Sequence, residues 1–168
     1  MERPFSNLDH AGGDSTHCPR CGQKGRSVSS LTIESLVHAT VRAELRSLEG
    51  FHFCATATCD VAYFHPASDD IVPCAKVGKT IFQKSTDSER LVCYCFQHTV
   101  ATIQREIRTA GSSRIAVDIK TKCTQGLDHC ERTNPQGSCC FGNVQRVIRE
   151  ATGNNQTPQS HQGGCCCH

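Results

Sequence analysis

The stretch LVCYCFQHTVATIQREIRTAG, residues 91–111, decides how this chain is read. It opens on two thiols one residue apart, Cys93 and Cys95, and runs into an amphipathic segment. From His98 to Ala110 the apolar Val100, Ile103 and Ile107 share one helical face, and Gly111 supplies the stop. A Cys-x-Cys pair is tight for zinc, whose turn ligands usually have two or more residues between them. It suits a loop wrapping an iron–sulfur cluster, where two thiols can serve one iron.

Reading onward, Ser113 can cap a second helix in which Ile115, Ile119 and Cys123 recur every fourth residue. The two helices would form an antiparallel pair that brings Cys130 back beside Cys95. The stretch DHCERTNPQGSCCFG, residues 128–142, then turns at Asn134–Gly137 and carries Cys139 or Cys140 to the same place. A third helix, about 142–151, shows Val144, Val147, Ile148 and Ala151 before Gly153. It starts directly after the double cysteine. Its unpaired N–H groups and dipole would face the sulfurs and raise a cluster's reduction potential.

Upstream lies a second cysteine set. Cys18-Pro-Arg-Cys21 is a knuckle followed by Gly22, and Cys54-x4-Cys59 sits between the β-prone runs Phe51–Cys54 and Val61–Phe64. Four thiolates at tetrahedral corners are what a structural zinc takes. His17, His52 and His65 lie nearby, but four cysteines already fill such a site, so the histidines are expected to stay outside it. A filled shell leaves no open position for water, so this zinc would stabilise the fold and not act on substrate. Leu31–Leu48 reads as helical, as one helix or two short ones because Thr40-Val41 weakens its middle, with Thr32 a candidate N-cap and Gly50 the terminator. Thr80–Gln83 reads as another β-prone run.

The fold class expected is α+β, a small strand-rich zinc-binding domain at 17–84 followed by a three-helix [2Fe-2S]-binding domain at 91–153. Residues 1–16 read as a disordered lead-in, and 154–168 as a flexible, low-complexity, Cys-rich tail. With 168 residues, 5% aromatics, 20% charged residues and no Trp, the apolar core is thin for the length. Small cores need staples, and 14 cysteines supply the candidates. The first residues show no apolar signal-peptide core and nothing approaches a membrane span, so a cytoplasmic location without membrane insertion is expected. In a reducing compartment the cysteines read as metal ligands and not as disulfides. A net charge of +2, with Lys and Arg scattered along the chain, argues against a nucleic-acid partner. There is no P-loop, Rossmann glycine motif or Ser/His/Asp set to suggest an ordinary enzyme.

Residues 17–153 resemble the amino-terminal module of CopZ-type copper chaperones. The motifs that carry the likeness are Cys18-Pro-x-Cys21-Gly22, Phe53-Cys54-x4-Cys59-Asp60-Val61-x-Tyr63-Phe64, Cys93-Tyr94-Cys95-Phe96, and Cys130-Glu131-x2-Asn134-Pro135-x-Gly137-x-Cys139-Cys140-x-Gly142. The resemblance implies a zinc-binding domain followed by a bacterioferritin-associated-ferredoxin-like [2Fe-2S] domain. It implies Cys18, Cys21, Cys54 and Cys59 as zinc ligands. It implies Cys93, Cys95, Cys130 and one of the double cysteine, Cys140 in preference to Cys139, as cluster ligands. The implied function is electron transfer in copper, or other soft-metal, reduction, trafficking or resistance. The implied partners are metal ions and a copper-transporting ATPase or a separate copper-binding domain. The family's heavy-metal-associated domain, with its Met-x-Cys-x-x-Cys loop, is not expected within these residues, whose one Met is at position 1.

Cys123 is expected in the core and Cys74 to be structural. Cys165, Cys166, Cys167 and His168 would offer soft ligands to Cu(I) or another soft metal on the tail. Two further classes compete with the redox reading: a non-redox interaction module with two zinc sites, and a nucleic-acid-binding zinc ribbon.

Overall fold

The computed structural model describes residues 16–153. Phe53 and Val61–Phe64 are buried β-formers, and they make the centre of an antiparallel four-stranded sheet. Its strands, in spatial order, are β1 (Arg26–Ser27), β2 (His52–Phe53), β3 (Val61–Phe64) and β4 (Ile71–Pro73). The pairing of β3 with β4 is irregular between Val61 and Tyr63, and such a break disturbs simple alternation of faces. Ala62 and Tyr63 accordingly join an apolar core with Ile33, Leu36, Phe51 and Val72, while Val61 and Phe64 pack against Cys18, Cys54 and Cys59.

Of the two readings open for Leu31–Leu48, the structure has the pair of short helices, and it ends earlier than expected. It is α1 (Ser30–Leu36) followed by α2 (Ala39–Arg42). Between them β-branched Val37 is extended and bridges Val77, and the Gly78 N–H donates to the Leu36 carbonyl at 2.8 Å. Tertiary pairing overrides local helix propensity there. Ser29, not Thr32, is the N-cap; Thr32 lies inside α1, buried. Nor is Thr80–Gln83 a strand. Phe82–Lys84 forms a 3-10 turn whose first backbone N–H donates to the Tyr94 hydroxyl at 2.9 Å, so it needs no sheet neighbour.

The carboxy-terminal part starts with a two-stranded ribbon, β5 (Leu91–Cys93) and β6 (His98–Thr99), that sequence patterning did not separate from the helix after it. Gln97 closes the ribbon with φ 59°, and its side-chain amide donates to the Tyr94 carbonyl at 2.7 Å. α3 (Val100–Ala110) is capped by the Thr99 hydroxyl, which accepts from the Thr102 N–H, and it ends at left-handed Gly111. α4 (Ile115–Thr124) is held at its start by Glu106, whose carboxylate accepts from the Ser113 hydroxyl and the Arg114 N–H. A short helix, α5 (Cys130–Thr133), precedes α6 (Phe141–Thr152). The expected pairing of the first two helices is not the main contact. α6 lies against α3, α4 and β5 and ties them together. Val92, Ile103, Ile107, Ile119, Val144 and Val147 fill this second core with Cys123, and Phe82 joins them from the joint.

The two cores meet at a polar seam. α1 packs on α5, and the Thr32 hydroxyl donates to the Glu131 carbonyl at 2.7 Å. The Tyr63 hydroxyl donates to the Pro135 carbonyl at 2.7 Å, and the Gln83 amide donates to the Gln136 side-chain oxygen at 2.6 Å. Gly137 sits at this seam with φ +66°, and a Cβ there would stand 2.9 Å from Val28 Cγ1 and 3.0 Å from Thr32 Oγ1. Gly137→Ala is therefore expected to destabilise the protein by roughly 1–3 kcal/mol. Gly142→Ala, where nothing lies within 4 Å, should be neutral or stabilising. Thermal melts of the metal-loaded variants compare the two, and equal melting temperatures would contradict the seam as described.

Candidate metal centres

The first cysteine set is brought together by two turns. The Cys18 knuckle closes through the Gly22 N–H to the Cys18 carbonyl and the Cys18 N–H to the Gln23 carbonyl, both 2.8 Å, with Gly22 at φ +71°. Cys54 follows β2 and bonds through its N–H to the Ala62 carbonyl at 2.9 Å, while the Cys59 N–H closes a turn on Thr56 at 3.1 Å. The sulfurs of Cys18, Cys21, Cys54 and Cys59 all lie within 4.8 Å of one another. Cys18 and Cys59 are 3.9 Å apart and Cys21 and Cys54 3.6 Å. Four sulfurs each about 2.3 Å from a zinc ion would have edges of roughly 3.8 Å, so the set fits zinc. His17, His52 and His65 are not members of it.

The four thiols of this set differ in how readily they ionise. Burial pushes the Cys59 thiol up to about 12 and raises Cys18 as well. Cys21, half-exposed and hydrogen-bonded to the Thr56 hydroxyl, is drawn down to about 6. Lys84 reaches across from the joint, its ammonium donating to the Thr56 carbonyl at 2.7 Å and the Cys59 carbonyl at 2.9 Å. It clamps the loop between the two later ligands and sets a positive charge beside it. No spacing pattern in the sequence marks Lys84.

The second set draws on three segments. Cys93 ends β5, Cys95 lies in the ribbon turn, Cys130 begins α5 and Cys140 is the N-cap of α6. Cys95 and Cys130 sulfurs stand 3.5 Å apart, and the Cys140 sulfur hydrogen-bonds with those of Cys130 and Cys93. Cys139 is half-buried and also reaches Cys130. Cys93, Cys130 and Cys140 are buried.

Protons are unevenly shared among these thiols. Hydrogen bonds from Cys130 and Cys93 hold Cys140 down to about 4, helped by its own and the Tyr94 backbone N–H. Cys95 is held to about 6 by Cys130, by the Thr133 hydroxyl at 3.2 Å and by the His129 N–H at 3.3 Å. Cys93, hydrogen-bonded to Cys140, and Cys130, hydrogen-bonded to Cys139, Cys140 and Cys95, are pushed up. Thr133 stands three residues after Cys130, a one-turn helical spacing that could have flagged it.

Among the described residues, the first set is the one whose ligand atoms all lie within 4.8 Å of one another. The second is a looser ring of thiols furnished with backbone N–H donors. That donor set fits a thiolate-bound group larger than one zinc ion. Cys123 is buried in the second core, as expected, and the Cys74 thiol is directed to the Cys59 carbonyl at 3.9 Å. The tail residues Cys165, Cys166, Cys167 and His168 lie outside the described residues.

Together the sheet, the four-sulfur cage and the helices behind it define a zinc-binding domain followed by a helical, cysteine-bearing part. Residues 15–78 match the zinc binding domain family of CopZ. The chain is 27% identical over 130 residues to the copper chaperone CopZ of Archaeoglobus fulgidus, covering 77% of this chain and 60% of that protein, so it spans about three fifths of the relative's length. The X-ray structure of the A. fulgidus CopZ N-terminal domain matches with a TM-score of 0.64 at 27% identity, over 78% of this chain and 96% of that one. The α+β architecture and the CopZ-type likeness expected from the sequence both stand. Among the described residues no helix is long and apolar enough to cross a membrane.

Zinc uptake must strip protons from the thiols that burial raises, Cys18 and Cys59. At least about two protons should be released per zinc at pH 7. Affinity should fall with acid, more steeply below about pH 6, where Cys21 gains its proton too. Calorimetry in buffers of different ionisation enthalpy measures both. Cys54→Ser should lose most of the bound zinc and unfold the sheet, read by metal analysis and circular dichroism.

Proposed function

We propose that Cys93, Cys95, Cys130 and Cys140 hold a redox-active [2Fe-2S] cluster, and that Cys18, Cys21, Cys54 and Cys59 hold a structural zinc. On this reading residues 17–84 are the zinc-binding domain and 91–153 the cluster-binding domain. The observation that carries it is the convergence of four cysteines from three separate segments, three of them buried, around the N-terminus of α6. What a bound cluster supplies is one electron at a time, the stoichiometry by which Cu(II) becomes Cu(I).

The chain's own residues would tune that chemistry. N–H groups of Tyr94, His129 and Cys140 donate towards sulfur, which stabilises the reduced, more negative state. Val92, Ile103 and Val144 line the core behind the site and exclude water. Cys140 is preferred to Cys139 because its sulfur meets those of both Cys93 and Cys130. The likeness to a copper chaperone supports copper, or another soft metal, as the cargo. A copper-transporting ATPase or a separate copper-binding domain then becomes the partner.

Protein expressed with ample iron and purified without oxygen should be red-brown, contain about two irons and one zinc, and give an EPR signal on reduction. Cys140→Ala should lose the colour and Cys139→Ala should keep it. A colourless protein with two zinc ions and no iron would establish instead a non-redox interaction module.

A further inference from the structure

The chain has two tyrosines, and each places its hydroxyl on a backbone group across the seam. Tyr63, in the middle of the sheet, donates to the Pro135 carbonyl at 2.7 Å. Tyr94, between Cys93 and Cys95, donates to the Thr80 carbonyl at 2.6 Å and accepts from the Phe82 N–H at 2.9 Å. Both side chains are buried. Phenylalanine would fill nearly the same volume, so packing alone does not account for the hydroxyls. A buried hydroxyl is costly unless bonded, and these two make short bonds to fixed backbone.

What they hold is informative. Pro135 lies in the loop between Cys130 and the double cysteine. That loop has internal ties: the Asn134 amide donates to the Ser138 carbonyl at 2.8 Å, and the Gln136 N–H donates to Asn134 Oδ1 at 3.2 Å. These fix its shape but not its position. Tyr63, Thr32 and Gln83 fix the position, from β3, α1 and the joint. On the other side, Tyr94 fastens the Cys93–Cys95 turn to residues 80–82, and Lys84, two residues on, grips the Thr56 and Cys59 carbonyls of the first cysteine set. In each ligand-bearing segment of the second set, a phenol is thus among the groups that tie it to the zinc-binding part.

We infer that Tyr63 and Tyr94 are positioning residues for the second metal centre. Together they fix the Cys130–Cys140 loop and the Cys93–Cys95 turn to one common frame, so the zinc-binding part sets the spacing of the four sulfurs. The inference rests on the proposal that this set holds the cluster.

The test uses the full chain, purified without oxygen, as wild type, Tyr63→Phe, Tyr94→Phe and Ile107→Val. The last loosens the second core without touching the seam and controls for general destabilisation. Zinc content should stay at that of the wild type in all four. Each tyrosine variant should release iron to a chelator about tenfold faster than the wild type, as expected for one lost buried hydrogen bond. Each should also shift the reduction potential, whereas Ile107→Val should leave the potential in place. Tyrosine variants indistinguishable from Ile107→Val in potential and iron release would overturn the inference. If the wild type carries no iron, the cluster proposal fails by itself. The same variants are then compared by the alkylation rate of Cys95, Cys130 and Cys140. About tenfold faster labelling than in the Ile107→Val protein supports the positioning role, and equal rates overturn it.

Discussion

Four sulfurs within 4.8 Å of one another cannot all be ionised without a cation between them. The amino-terminal part of the fold follows from that repulsion. Its sheet is small, its strands are two to four residues long, and one face of β3 packs on the cysteines themselves. Without an ion, burial keeps Cys18 and Cys59 protonated, and the two turns are joined by weak thiol contacts and the exposed Arg20–Asp60 ion pair at 3.7 Å. With an ion, thiolate bonds replace those contacts and metal-binding energy becomes folding energy. Lys84 belongs to the same balance, because an ammonium beside a thiolate cage offsets part of the charge left when one divalent ion meets four thiolates.

The second part handles a similar crowding of sulfur in another way. It spreads its cysteines over a ribbon, a short helix and a helix cap, and it directs backbone N–H groups at them. A core of aliphatic side chains stands behind, so the ring of thiols is open on one side only in the sense that Cys95 and Cys139 are half-buried. The likeness to the A. fulgidus domain extends over both parts, since 78% of this chain is matched.

Much of this was legible in the sequence, for identifiable reasons. α3 and α6 each have a clean apolar stripe and a glycine stop, and they appear within two residues of the expected bounds. The CPRC knuckle and the C-x4-C turn have ligand spacings that sequence alone can register. What was not legible depended on partners distant in the chain. Val37 leaves the helix to bridge Val77. Phe82 leaves a strand-like run because its N–H finds Tyr94. Thr32 looked like a cap and instead donates to Glu131, 99 residues away. Lys84 carried no signal, since a lysine in a polar joint looks like any other solvated charge. In each case a backbone group found a tertiary partner that no local window contains.

Chain order gives the seam a further significance. On the proposed assignment, eight closely similar thiols are divided between two sets, and early mixing would trap the wrong ion in the wrong place. The sheet closes at β4, Ile71–Pro73, before Cys93 is reached along the chain. During synthesis the first four sulfurs can therefore find one another while the second four do not yet exist. The Tyr63 hydroxyl that meets the Pro135 carbonyl, and the Thr80 carbonyl and Phe82 N–H that meet Tyr94, lie on a surface laid down earlier. Sorting of the cysteines is then a matter of timing as much as of affinity, and linear sequence itself acts as the sieve.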